Sequence, residues 1–456
     1  MGARKPLSGE VLLGDARKFF ATVPDHRNPQ LIQIELKDFL MSSLAMFSLK
    51  FPSLLKFEEE MKDRRNFSHL HTIYGVERVP SDTRMREVVD EVATKNLDPL
   101  FNRLLEKAKR SGALKDFMLW NKTYLVPVDG SSYFYSDSIH CESCQEKKHR
   151  STGEKCYSHQ MLAAAIAHPN QSTVIPLKPE PIQKQDGESK NDCERNAMKR
   201  FIKSLRESQP GLAITMLTDA LHATLPHLDL LEENKMSYIL SVKPGSHEKL
   251  FAAMEKHEEL NRMNTFVVED EIGDKVKKKR IREYRYWNGV LLNHSDVTKT
   301  VNFLDFVETI QWVGKGGRLK EKRVHYSWIT DLSLYHSSCE QIAQAGRTRW
   351  KIENEVFNSL KNHGYEFEHN FGHGYKNLTT NFAYIMMLAF LIDQLQRIGC
   401  ELFQRALKKM KRLGSLWEHI RSAYLLLPFE IRSYSELLEI IIDPSQFVAR
   451  REPMMT

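Results

Sequence analysis

Asp129 closes the apolar run Tyr124–Val128, and Asp219 closes a second run, Ala213–Leu217, through Thr218. A third carboxylate, Glu353, lies in the helical segment Gln341–Asn362. In open α/β sheets, chemistry gathers beyond the carboxyl ends of strands. Neighbouring strands lie about 4.8 Å apart, so aspartates that end adjacent strands can share one cation. Hard oxygen donors of this kind suit Mg²⁺ or Mn²⁺, and bunched carboxylates repel one another without such ions. Two divalent ions roughly 3.5–4 Å apart are a device for cleaving phosphodiesters, where negative charge builds on a group already anionic. Taken singly, each aspartate also reads as structure: Asp129-Gly130 as a turn, Thr218-Asp219 as a helix cap.

A second constellation is soft rather than hard. Cys141-x-x-Cys144 is followed by Cys156-x-x-His159, two close pairs with the ligand types of a structural Cys₃His zinc site. His140 and His149 are spare ligands, and a reduced-thiol hairpin is the alternative reading. The chain has 6 cysteines in 456 residues, too few for a disulfide scaffold, which suits a reducing cytoplasm. His222, one turn beyond Asp219, reads as a surface or packing histidine.

The elements that position these groups change character along the chain. Residues 1–120 read as a helical N-terminal domain, with helical spacing of apolar residues in Ile34–Phe51 and Val88–Ala108 and a helix start at Pro80-Ser81-Asp82. Residues 121–262 carry apolar strands at Tyr124–Val128, Met161–Ala167, Ser172–Leu177, Ala213–Leu217 and Tyr238–Val242. Helices fall at Cys193–Ser208 and Leu221–Asn234, so this part is a mixed α/β core. Residues 263–336 read as an all-β insertion, with strands near Thr265–Val268, Tyr284–Trp287, Thr300–Phe306 and His325–Thr330. Residues 337–400 return to helix, including Phe382–Gln396, and 401–456 are helical.

Charge favours an anionic partner modestly: 66 Lys+Arg against 59 Asp+Glu, a net of +7. The insertion holds two basic runs, Lys275–Arg285 and Lys315–Arg323, in which Lys278, Arg280, Lys315 and Arg318 are candidates for DNA backbone contact. Trp287, Trp312 and Trp328 lie in the same region, where core packing competes with stacking on a base. The apolar stretches Phe39–Phe51 and Phe382–Leu395 are shorter than the roughly 20 residues of a bilayer span, so no membrane role is expected.

The helix Arg347-Thr-Arg-Trp-Lys-Ile-Glu-Asn-Glu-Val-Phe-Asn-Ser-Leu-Lys361 resembles the R-W-x-I-E-x-x-F-x-x-L-K signature of DDE insertion-sequence transposases of the YREK type. Val128-Asp-Gly-Ser-Ser-Tyr-Phe134, the stretch Ile139–His159, Asp192-Cys-Glu-Arg-Asn-Ala197 and His369-Asn-Phe-Gly-His-Gly374 are similar to one branch of that group, in the same order. The resemblance covers about 120–400. It implies an RNase H-like mixed sheet with a β insertion, and Asp129, Asp219 and Glu353 as a catalytic triad on two Mg²⁺ or Mn²⁺ ions. It further implies Arg349 on a phosphate at the transposon end and Lys361 on the DNA backbone. Two departures stand out. Gly346 occupies the place of the family tyrosine, and Lys361 lies one residue further from Glu353 than in the tightest motif.

Transposition so implied needs double-stranded DNA as end and target, a homodimer to hold two ends, and a nucleoid-associated cytoplasmic location. The alternatives are a catalytically silent transposase-derived regulator and a stand-alone nuclease on the same core. An intact triad speaks against the first, and a basic insertion exceeds the needs of the second.

Overall fold

The computed structural model describes residues 5–148, 152–183, 193–273, 277–292, 299–314 and 316–445. The N-terminal part is helical: α1 (Gly9–Phe20), α2 (Leu36–Ser48), α3 (Leu54–Met61), α4 (Arg64–Tyr74), α5 (Asp82–Asp90) and α6 (Asp98–Arg110). Local chemistry sets several starts. Ser53, Asp63 and Ser81 accept backbone N–H groups of Lys56, Arg65 and Arg84, satisfying donors that a helix N-terminus leaves orphaned.

Among the described residues eleven strands follow: β1 (Tyr124–Ser136), β2 (Gln145–Lys148), β3 (Lys155–Ile166), β4 (Ile175–Pro176), β5 (Glu180–Ile182), β6 (Ile214–Thr218), β7 (Ser237–Ser241), β8 (Asn264–Ile272), β9 (Lys278–Leu291), β10 (Thr300–Val313) and β11 (Leu319–Thr330). Between them lie α7 (Glu194–Ser208), α8 (Leu225–Glu233) and α9 (Glu248–Glu259). The strands form one sheet in the order β2-β3-β1-β6-β7-β11-β10-β9-β8, with β4 and β5 also on β3. β3 runs antiparallel to β1, whereas β6 and β7 run parallel to it. Three antiparallel segments followed by two parallel strands make the RNase H-like core expected from the resemblance.

Side chains alternate across the sheet as the period of two requires. Val126, Met216, Leu240 and Ile329 enter one apolar core, while Leu125, Leu217, Ile239 and Trp328 enter the other. The sheet is therefore covered on both sides, and its central strands are apolar throughout.

The β insertion does not stand apart from this core. The inner end of β11 pairs with β7, Thr330 against Ile239, so β8 to β11 continue the same sheet outward. Phe303, Leu304, Phe306, Trp328 and Ile329 are buried at the inner ends, while Lys320, Lys322 and Arg323 are exposed at the outer ends. The strands run longer than the sequence suggests, because their outer halves carry lysine, arginine and glutamate, residues that disfavour strand assignment by composition.

The C-terminal part comprises α10 (His336–Arg347), α11 (Asn358–Asn362), α12 (Leu378–Gly399), α13 (Glu401–Met410), α14 (Leu413–Leu426) and α15 (Tyr434–Ile442). α12 is long and apolar enough to cross a membrane, but 94% of its most apolar window is buried in the protein. It packs on α1, α2 and α5 of the N-terminal part and on β4 of the sheet. Lys50, after α2, reaches Asp393 of α12 at 2.8 Å, and Tyr365 donates to the same carboxylate. Removing one partner of such a buried pair costs about 3–5 kcal/mol, because the other charge is left uncompensated.

One expected helix is broken. Gln341–Asn362 is not continuous: α10 passes into a 3₁₀ turn at Thr348–Trp350, then a π turn at Ile352–Phe357, then α11. The tight turn and the wide turn offset each other's winding, and single π turns concentrate at functional sites.

Candidate active site

β1 and β6 lie side by side in register, Pro127 against Leu217. The same offset carried two residues further sets Asp129 level with Asp219. Asp129 Oδ1 accepts the Gly130 N–H at 2.9 Å, and Asp219 Oδ1 accepts the Leu221 N–H at 3.0 Å. Both aspartates thus keep the turn and cap bonds of the structural reading, while each retains a second oxygen.

Glu353 comes from the π turn. Arg349, nearly buried, spans the gap between it and β1: Nη2 donates to Glu353 Oε1 at 2.9 Å and Nη1 lies 3.4 Å from Asp129 Oδ2. The guanidinium fork therefore neutralises two carboxylates from segments more than 200 residues apart in sequence. In this state its partners are carboxylates, the groups that cations would otherwise occupy. The wide turn also accounts for Lys361. An i→i+5 turn holds one residue more than an α turn, which takes up the extra residue between Glu353 and Lys361.

A fourth carboxylate joins these. Glu194 opens α7, where a helix N-terminus favours negative charge. A Cβ at Gly130 would lie 2.8 Å from Glu194 Oε2, so glycine leaves room for the carboxylate beside β1. Ligand atoms of Glu194, Asp219 and His222 lie within 4.8 Å of one another, and His222 Nε2 is 2.9 Å from Glu194 Oε1. His222 is buried, which fits the packing half of the expectation, and its ring also meets the acidic group through Glu194.

Burial raises the Asp129 carboxyl to about 6; the Gly130 N–H and Arg349 oppose the rise, and Glu194 and Glu353 add to it. Beside Asp219 opens a cleft of about 920 Å³, lined also by Arg195, Lys243, His247 and Lys249. Basic side chains around a carboxylate site can hold a polyanion against it.

The other candidates fall in different places. Arg280 is paired with Asp270, and Lys361 with Glu368 at 2.7 Å. Lys278 lies 5.2 Å over the Trp312 ring, and Arg318 is exposed just before β11. Lys315 lies outside the described residues, as do His149 and Asp192. Of the tryptophans, Trp328 is buried and Trp287 stacks on His257 at 4.2 Å. Trp328 also explains Gly346: a Cβ there would lie 2.6 Å from its indole, so the indole fills the space where the family tyrosine would sit.

The soft constellation assembles with one exchange of partner. Cys141, Cys144, His159 and His373 bring their ligand atoms within 4.8 Å of one another. Cys156 is not in this group; its thiol lies 3.4 Å from the Lys147 carbonyl oxygen. The reason is geometric. Cys156 and His159 are three apart on the regular strand β3, so they point to opposite faces. His140, a spare ligand in sequence, stacks on Tyr157 instead.

Glu194 and His373 are the residues that sequence reasoning missed. Each sat in a motif already noted, Asp192–Ala197 and His369–Gly374, but neither motif says which distant group it meets. No curated protein matches the chain. A family model described as the transposase DDE domain matches residues 131–391, more than half of the 456. That match starts just past Asp129 and takes in Glu194, Asp219, Arg349 and Glu353, and on it the chain belongs to the transposase DDE domain family.

Proposed function

We propose that the chain cleaves DNA at the ends of its element and joins the freed 3′-hydroxyl to target DNA. Asp129, Asp219 and Glu353 would hold a pair of Mg²⁺ or Mn²⁺ ions, with Glu194 as a further oxygen donor. DDE transposases as a family act on DNA with divalent metal ions; the two-ion strand-transfer route is our reading of this site. The observation that carries it is the Arg349 fork between Asp129 and Glu353, with Glu194 and Asp219 alongside. The donor set fits a hard divalent cation, since its carboxylates supply oxygen, and burial, with a smaller push from Glu194 and Glu353, raises Asp129. Bound there, two such ions would activate the attacking oxygen and steady the leaving one.

The chain's own residues supply the rest. Arg349, once relieved of the carboxylates, presents a planar fork that suits a phosphate at the element end. His222 fixes one oxygen of Glu194. Arg195, Lys243 and Lys249 line the cleft that would take the DNA backbone. The exposed Arg318, Lys320, Lys322 and Arg323 extend a basic track along the outer strands, in preference to Arg280, Arg282 and Arg285, which already face acidic partners. Holding two ends together calls for a homodimer on DNA, in a nucleoid-associated cytoplasmic setting.

The test is Mg²⁺-dependent cleavage and strand transfer with element-end DNA, comparing wild type with Asp129→Asn, Asp219→Asn and Glu353→Gln. Wild type should give both products, and the variants should bind DNA yet give neither. Equal cleavage by the variants would remove the triad from the mechanism. Cleavage without strand transfer would favour a stand-alone nuclease, and binding without cleavage a regulator.

A further inference from the structure

The four side chains Cys141, Cys144, His159 and His373 are built as a tetrahedron's corners. The sulfurs lie 3.9 Å apart. His159 Nε2 lies 3.4 Å from Cys141 Sγ and 3.2 Å from Cys144 Sγ. His373 Nε2 lies 3.3 Å from Cys144 Sγ and 3.2 Å from His159 Nε2. Zinc bonds of about 2.3 Å to sulfur and 2.0–2.1 Å to nitrogen give tetrahedral edges of roughly 3.8 Å between sulfurs, 3.6 Å between sulfur and nitrogen and 3.3 Å between nitrogens. The sulfur–sulfur edge is the longest of these five, as it should be, and the others lie close to the sizes a tetrahedral zinc site needs.

The surroundings fit the same reading. His373 Nδ1 donates to the Gly374 carbonyl at 2.8 Å, which fixes the tautomer and leaves the Nε2 lone pair facing the group. With that proton placed, two thiols and a second imidazole crowd an acceptor nitrogen, an arrangement that hydrogen bonds alone satisfy poorly. Cys144, His159 and His373 are buried. A closed site with four protein ligands is structural, with no open position for substrate. A β-bulge supports it: the register of β1 on β3 shifts between Ser132 and Phe134. The shift lets the adjacent residues Tyr133 and Phe134 both pack on the His159 ring.

We infer that Cys141, Cys144, His159 and His373 form a structural zinc site of Cys₂His₂ type, distinct from the carboxylate site and with His373 in the place expected for Cys156. The ion would join three segments: the loop after β1, the strand β3, and the loop that follows α11. That last loop is anchored on its other side as well. Asp90 of α5 accepts backbone N–H groups of Tyr375, Lys376, Asn377 and Leu378. Gly374 stands at φ +71°, where a Cβ would lie 2.4 Å from that carboxylate. Zinc on one side and Asp90 on the other therefore pin the chain leaving Glu353. The inference does not depend on the carboxylate chemistry.

The test is elemental analysis of the full chain purified without chelator. Wild type and Cys156→Ser should each carry about one zinc per chain, and Cys144→Ser and His373→Ala should lose it. Co²⁺ substituted into wild type should show a tetrahedral spectrum with two thiolate ligands, and alkylation should find Cys141 and Cys144 protected and Cys156 not. That wild-type measurement decides the matter even if a ligand variant fails to fold. A folded, metal-free protein, a Cys141–Cys144 disulfide, or zinc kept by His373→Ala and lost by Cys156→Ser would each overturn the assignment.

Discussion

Two clusters of side chains able to hold a metal ion lie along the β1–β3 pair and differ in almost every physical respect. Toward the sheet centre, Asp129, Glu194 and Glu353 offer oxygens, with side chains 25%, 27% and 36% exposed. Toward the far end of the same strands, Cys144, His159 and His373 offer sulfur and nitrogen and are at most 6% exposed. The first is more open, crowded with like charge and bridged by Arg349. The second is closed, its two thiols balancing one divalent charge once ionised. Openness and hard donors belong to chemistry that must admit DNA; closure and soft donors belong to a joint that must not let go. The two donor sets differ in softness: thiolate and imidazole suit zinc, and carboxylate oxygens suit Mg²⁺ or Mn²⁺.

The contrast breaks most readily at the carboxylates. Glu353→Gln or Asp129→Asn should lower cleavage by more than about 100-fold, beyond the 10–100-fold usual for outer partners of a metal site, with little change in melting temperature. A gel-based cleavage assay beside a thermal melt reads both. A large loss of stability with activity retained would reverse the roles given to the two clusters.

Removing zinc should do the opposite. Stripping it with a strong chelator should lower the melting temperature by on the order of 5 °C or more, since metal binding to a site formed only on folding is folding free energy. Withholding Mg²⁺ should leave the melting temperature nearly unchanged while stopping cleavage. Calorimetry with each metal in turn measures the difference, and equal shifts would erase the distinction.

Glu194→Gln sharpens the comparison on the oxygen side. It should weaken Mn²⁺ binding and cleavage by about 10–100-fold. Titration of Mn²⁺ against cleavage rate checks this, and an unaltered titration would return Glu194 to a helix-start role.

The smallest effect is one of pH. With Asp129 raised to about 6, protons compete with metal below that value, so cleavage at limiting Mg²⁺ should fall as pH drops through 6, and saturating Mg²⁺ should move the fall to lower pH. Stability runs the other way. A carboxyl raised from 3.8 favours the folded state most below 3.8, and that contribution is lost as pH rises through about 6. Rate profiles at two Mg²⁺ concentrations test the first statement. A profile that ignores Mg²⁺ would exclude Asp129 as the titrating ligand.

What the sequence disclosed follows from the range of each interaction. Asp129 and Asp219 were legible because an apolar run that stops at an acid is a local pattern, and Glu353 because its neighbours repeat a known helix signature. Glu194 was not, since its role depends on Gly130 leaving room across 64 positions of chain. Cys156 was misassigned because C-x-x-H suggests a shared ligand only where the backbone curls; on an extended strand three residues reverse the face. His373 completes the group from more than 200 positions away. The insertion's register on β7 was equally silent, because β11 meets it through only a few residues at its inner end.

The wide turn that bears Glu353 has a consequence for how this helix tolerates change. It stores one residue of slack immediately after the third carboxylate. Deleting the exposed Asn354 would let the turn relax to ordinary winding, and each residue of winding swings everything downstream by about 100°. Whether the buried Leu360 and the half-exposed Lys361 keep their faces is then set by a single position. The spare residue acts as a vernier between the carboxylate-bearing and the outward-facing halves of one rod.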